Sequence, residues 1–223
     1  MANRGLQAVI FDLDGLLVDS EPVWFRVRTE MFQRFGLEWT DDDQKALMGR
    51  STATWIDYVA RKLEGRLQAR EIERETLNAM VSQYRTGNVV LMPGAQNALE
   101  YCAAHFVVGL GSGSPRELID AAIEANQWSG LFRFMLSSDT VSHGKPAPDV
   151  YEAVMKKLGV AAAATVVVED SGSGILAGKA AGAAVIAVPN TQLMPPPEAL
   201  QKADVIIPSL SSIDHAIQTI ERT

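Results

Sequence analysis

The sequence has one cysteine, Cys102, and three histidines in 223 residues. A single thiol forms no intrachain disulfide and no cysteine-rich metal site, which suits a reducing compartment. Its apolar neighbours make Cys102 a buried core residue. No uncharged apolar run reaches 18 residues, and the N-terminus lacks a basic segment followed by an apolar stretch with a cleavage site. Neither membrane spanning nor secretion is therefore expected, and a cytoplasmic location is. Basic residues are also short: Lys and Arg number 20 against 27 Asp and Glu, for a formal net charge of -7. Nonspecific nucleic-acid binding needs basic patches that no segment supplies, so no nucleic-acid partner is expected. There is no internal repeat and no low-complexity tract.

What is present is ordinary globular material, 47% hydrophobic and 21% charged, in two kinds of sequence. From about Ser20 to Gly87 the pattern is helical only. Trp24, Val27, Met31 and Phe35 recur at three- and four-residue spacing until Gly36 stops them. Thr40 with Asp43 resembles a capping box opening a helix that ends near Gly49. Trp55, Val59 and Leu63 form a stripe closed by Gly65, and Leu77, Met80, Val81 and Tyr84 another closed by Gly87. From Met92 onward short apolar runs alternate with helical segments. The runs are Phe106–Leu110, Phe134–Leu136, Thr165–Val168, Ala183–Val188 and Asp204–Ile207. The helices between them are expected near Ala95–Ala104, Pro115–Asn126, Pro148–Leu158 and Gly174–Ala181. Such alternation predicts an α/β fold with a parallel sheet and helices on both faces, and Ala8–Phe11 would join that sheet. The helical stretch is then an insertion: residues 1–16 and 89–223 form a Rossmann-like three-layer core, and 17–88 a helical cap. Met194–Glu198, "MPPPE", reads as a rigid turn.

Ligands of open parallel sheets gather at the carboxyl ends of the strands. Four unusual clusters fall there: "DLDG", "GSGSP", "SHGKPAPD" and "EDSGSG". Asp12 and Asp14 stand two residues apart, on one side of an extended chain, and Gly15 lets the backbone turn away. With Glu169 and Asp170 from another strand end, three or four carboxylates converge, and such a set calls for a hard divalent cation, Mg2+ fitting best. Ser112, between glycines, offers a hydroxyl and nearby backbone N–H groups to phosphate oxygens, or else caps the helix that follows. Lys145, held between Gly144 and Pro146, could neutralise the aspartates and a phosphoryl group together. Asp12 would then attack phosphorus, and Asp14 would protonate the leaving alkoxide and later deprotonate water. His105 and His215 have no polar company and His143 no motif, so all three read as noncatalytic.

In order and spacing these clusters resemble the four motifs of the haloacid dehalogenase superfamily. The chain looks most like the subgroup of β-phosphoglucomutase and small sugar-phosphate phosphatases. The resemblance implies Asp12 as nucleophile and Asp14 as acid/base, Ser112, Gly113 and Lys145 as phosphate ligands, and Asp12, Asp14, Glu169 and Asp170 around Mg2+. It also implies a small phosphorylated sugar or polyol as substrate, with Glu21 and Arg50 as cap contacts. Mutases of the subgroup carry a histidine where this chain has Trp24, and "DSEPVW" is similar to hexose and hexitol phosphate phosphatases. A Mg2+-dependent phosphomonoesterase acting as a monomer is the expectation, with a phosphosugar mutase as the alternative.

Overall fold

Four consecutive apolar residues, Ala8–Phe11, form β1, and all four are fully buried, as a central parallel strand covered on both faces requires. The computed structural model describes residues 5–47, 52–190 and 194–222. After β1 come β2 (Val18–Asp19) and the helices α1 (Glu21–Gln33), α2 (Asp41–Leu47), α3 (Thr52–Lys62) and α4 (Ala69–Arg85), then β3 (Val90–Leu91). Strands and helices then alternate: α5 (Ala95–His105), β4 (Val107–Ser112), α6 (Arg116–Ala125), β5 (Phe134–Ser137) and α7 (Asp149–Leu158). The chain ends through β6 (Thr165–Glu169), α8 (Gly172–Ala180), β7 (Ala184–Ala187), α9 (Pro197–Leu200), β8 (Val205–Ile206) and α10 (Ile213–Glu221).

Six strands form one parallel sheet in the order β5-β4-β1-β6-β7-β8. Its two faces carry separate cores. One gathers Leu99, Leu118, Ile119, Trp128 and Ile217 from the α5, α6 and α10 side, the other Val150, Tyr151, Val154 and Ile175 from α7 and α8. Cys102 lies in the first, fully buried, its thiol pushed up to about 12 by burial. A third cluster, built on Phe32, Trp39, Trp55, Val59 and Ile72, holds α1–α4 together. Trp24, Val27, Met80 and Tyr84 from the same helices join the sheet-side core instead. The helical stretch leaves and returns through a two-residue antiparallel ribbon, Val18 opposite Leu91 and Asp19 opposite Val90. Two-residue strands leave no periodicity to read, so neither was expected.

The registers put the chemistry at one edge. Phe11 pairs with both Leu110 and Val168, so the residues following all three strands emerge side by side. β4 runs on to Ser112, paired with Ser137, beyond the apolar run that ended at Leu110. β6 likewise includes Glu169. α8 begins two residues before the expected Gly174 because Ser171 caps it, its hydroxyl accepting from Gly174 N at 3.0 Å. "MPPPE" contributes the start of α9, with Pro197 in its first turn.

The Thr40–Asp43 capping box is present, the Thr40 N–H donating to Asp43 Oδ2 at 2.8 Å and Asp43 N to Thr40 Oγ1 at 3.3 Å. Asp43 also accepts from Tyr58 Oη at 2.7 Å and from the Lys62 ammonium. Burial alone would raise its carboxyl, but Lys62, Thr40 and Tyr58 outweigh it and hold the group well below the usual carboxylate range. A depressed pKa stabilises the fold above the ordinary range near 4, and the benefit is lost as pH falls below it. Asp43→Asn is expected to cost about 1–3 kcal/mol in urea unfolding at pH 7, and the gap to wild type should narrow at pH 3.

Candidate active site

Asp12 is the first residue past β1, its N–H held by Val168 O at 3.1 Å and its side chain 9% exposed. Lys145, from the loop before α7, donates to Asp12 Oδ1 at 2.5 Å and to Glu169 Oε1 at 2.6 Å. Tyr151, on the first turn of α7, donates its hydroxyl to the same Glu169 Oε1 at 2.6 Å. Glu169 Oε2 accepts from the N–H groups of Asp170 and Ser171 and from Ser171 Oγ, at 3.0–3.1 Å. Both oxygens of this fully buried carboxylate are thus occupied, and Gly174 must be glycine, since a Cβ there would overlap them.

Asp12, Glu169 and Asp170 each offer an oxygen within 4.8 Å of the others. Burial raises the Asp12 carboxyl to about 8, against the pull of Lys145 and with a push from Glu169 and Asp14. Burial, then Glu169 and Asp12, drive the Asp170 carboxyl well above its ordinary range. Burial would lower the Lys145 pKa, but Asp12 and Glu169 carry it well above the usual lysine value. Three carboxylates thus share one ammonium. Asp170 Oδ1 is buried and finds no hydrogen-bond partner among the described residues. A hard oxygen donor set with an excess of negative charge and an orphaned carboxylate oxygen fits a divalent cation, with Asp12 and Asp170 free to hold it and Glu169 committed to its own donors.

Asp14 falls outside that trio. Its Oδ1 accepts from Ser20 Oγ at 2.7 Å, and its Oδ2 from Ser114 Oγ at 2.7 Å and Ser112 Oγ at 3.3 Å. Gly15 follows with φ +79°, and a Cβ on it would overlap Asp170 Oδ2, so the turn that leads the chain away from the aspartates also lets Asp170 approach. Ser112, expected to face phosphate, is fully buried: its oxygen accepts from Ser114 N at 2.9 Å while its proton goes to Asp14. The residues of that loop on the cavity wall are Gly113, Ser114 and Pro115. The reason is that β4 continues through Ser112, which turns the hydroxyl inward and leaves the next residues at the strand end. Nothing in the sequence pointed to Ser114 or Ser20 beyond their closeness to the motifs.

These groups line a cavity of about 640 Å³, a size that suits a small-molecule ligand. Asp12, Asp14, Lys145 and Asp170 stand on its sheet side, and Glu21, Trp24, Arg28 and Trp55 on its helical side. Glu21 is half-buried, and burial raises its carboxyl against a hydrogen bond from Gln44 and the nearby Arg28 charge. Thr52 Oγ1, at the start of α3, donates to Asp139 Oδ2 at 2.9 Å and bridges the two sides. Arg50, and the Gly49–Ser51 segment around it, lie outside the described residues. None of the histidines lines the cavity. Two of them do have polar partners: His105 Nδ1 lies 2.7 Å from Tyr101 O, and His143 Nδ1 is 3.1 Å from Asp149 Oδ2.

Residues 9–188 match the family model of haloacid dehalogenase-like hydrolases. The chain is 30% identical to hexitol phosphatase B of Escherichia coli K12, across 94% of this chain and 95% of that protein. It is also 30% identical to the bifunctional riboflavin kinase/FMN phosphatase of Arabidopsis thaliana, across 92% of this chain; there it spans about half of the relative, 54%. Among solved structures, a HAD hydrolase of family IA, variant 3, from Entamoeba histolytica superposes with a TM-score of 0.80 at 26% identity, covering 97% of this chain and all of that one. No helix among the described residues is long and apolar enough to cross a membrane.

Proposed function

The chain belongs to the haloacid dehalogenase-like hydrolase family, and on that premise we propose that it is a phosphomonoesterase of small sugar or polyol phosphates working through a phosphorylated Asp12. The observation that carries this reading is Asp12 itself: Lys145 pins Oδ1, while Oδ2 receives no hydrogen bond among the described residues. Asp12 Oδ2 bonds to phosphorus as the ester P–O bond breaks, and Asp14 gives the leaving alkoxide its proton. Asp14 then takes a proton from water, whose oxygen displaces Asp12 and releases inorganic phosphate. Ser20 and Ser114 hold Asp14 in place for both transfers. Gly113 and Lys145 would meet the phosphoryl oxygens, with Ser112 steadying the loop behind them.

Asp12 and Asp170 would hold a divalent cation, Mg2+ by its preference for oxygen donors, and when bound it would neutralise charge on the phosphoryl group. Residues 17–88 act as a cap on a core of residues 1–16 and 89–223, and the Thr52–Asp139 hydrogen bond ties the two. Closure excludes bulk water during the first transfer.

The test is release of inorganic phosphate across hexose, hexitol and nucleotide monophosphates. Excess EDTA should cut the rate at least about tenfold and Mg2+ should restore it. Full activity in EDTA would count against the cation, and conversion of one sugar phosphate into another without net phosphate release would mark a mutase instead.

A further inference from the structure

We propose that Arg28, Gln44 and Glu21 form a fixed relay on the cap face that reads neighbouring hydroxyl groups, restricting the substrate to monophosphates whose remainder is an uncharged polyol. This rests on the phosphomonoesterase reading and names the part of the substrate remote from phosphorus.

Glu21, Trp24 and Arg28 recur at spacings of three and four along α1, so one helical face turns all three to the cavity. Gln44, on α2, ties two of them together. Its Nε2 donates to Glu21 Oε2 at 2.8 Å, and its Oε1 accepts from Arg28 Nη1 at 2.9 Å and Trp39 Nε1 at 3.2 Å. Reversing the amide would set its NH2 against two donors, so only one orientation is possible. Arg28 is 5% exposed and sits among three indoles, its guanidinium carbon 4.7 Å from the Trp24 ring centroid and 5.7 and 5.8 Å from those of Trp39 and Trp55. Among the described residues no carboxylate comes within ion-pair distance of it, and its Nε is buried without a hydrogen-bond partner. A buried cation joined to its nearest acid only through an amide is a costly arrangement, which marks it as a group held for a ligand.

The relay thus presents a cationic donor and an anionic acceptor at a fixed separation on one wall. A hydroxyl both donates and accepts, so adjacent hydroxyls satisfy Glu21 and Arg28 together, while the faces of Trp24 and Trp55 pack on the carbons between them. A second anion on the substrate would meet Glu21, and among the described residues the other wall carboxylates, Asp12, Asp14, Asp139 and Asp170, outnumber Lys145 and Arg28.

The test compares the wild-type protein with Glu21→Gln, Gln44→Met and Arg28→Met, with Mg2+ present. The substrates are a hexitol monophosphate, p-nitrophenyl phosphate, which carries no hydroxyls, and phosphoglycolate, whose second group is a carboxylate. Wild type should favour the hexitol monophosphate over phosphoglycolate by at least about tenfold in kcat/KM. Each variant should shift the kcat/KM ratio of hexitol monophosphate to p-nitrophenyl phosphate by roughly 10- to 100-fold against the polyol, through KM. Glu21→Gln should also narrow the disadvantage of phosphoglycolate. Gln44→Met keeps the side chain's length and removes both of its hydrogen-bonding roles, so it and Glu21→Gln carry the test if melting curves show that Arg28→Met does not fold. An equal loss on both neutral monoesters, or a wild-type preference for phosphoglycolate, would overturn the relay and leave the phosphomonoesterase reading standing. Failure of wild type to release phosphate from any of the three would remove both.

Discussion

Asp12→Asn is expected to abolish phosphate release, by about 10^4- to 10^6-fold, while the protein melts no lower than wild type in EDTA. The amide keeps the shape of the carboxylate and removes the lone-pair charge that would bond to phosphorus. It also removes one of the three buried carboxyls that share Lys145 among the described residues, a carboxyl whose charged form burial and Glu169 disfavour, so the fold gains relief where the chemistry is lost. The two readouts together separate a lost nucleophile from a misfolded site. Release that survives the change would move the nucleophile elsewhere, and a fall in melting temperature would mean that Asp12 is structural.

Lys145→Met is expected to disrupt fold and activity together. It strands Glu169, fully buried, and Asp12, nearly so, without the ammonium that lies 2.5–2.6 Å from both. Breaking a buried pair by removing one partner costs about 3–5 kcal/mol. For a chain of this length that is a fall of roughly 6–20 °C in melting temperature, measured in EDTA so that no cation takes the lysine's place. Activity with Mg2+ should fall at least about 10^2-fold, because Asp12 loses the contact that orients it and the phosphoryl oxygens lose a cation. An unchanged melting temperature would show that Glu169 is satisfied by Tyr151 and the Asp170 and Ser171 amides alone.

The strand ends were legible because their signals are local. An apolar run followed by "DLDG" or "EDSGSG" names both the strand and the carboxylates past it, and the parallel register does the rest. The Thr40–Asp43 cap, a contact three residues long, was legible for the same reason. Contacts between distant segments were not. Ser20 and Ser114 reach Asp14 from six and one hundred residues away, and no periodicity announces that. Arg28 lies between Trp24 and Met31 on α1, and no local pattern marks it as buried. Trp39 and Trp55, arriving from other segments, bury it. Glu169 ends a strand, where an isolated charge is costly, and is tolerated because Lys145 and Tyr151 reach it from the segment that follows β5 in the chain.

The ribbon that pairs Val18 with Leu91 has an evolutionary corollary. Since the long helical excursion starts and finishes at adjacent points, a descendant could exchange it for a shorter, longer or unrelated one without re-registering a single strand of the main sheet. Change in the excursion would then be confined along the chain to one stretch of gene that enters and leaves at that two-residue seam, and would be constrained by the packing of Trp24, Val27, Met80 and Tyr84 on the sheet-side core.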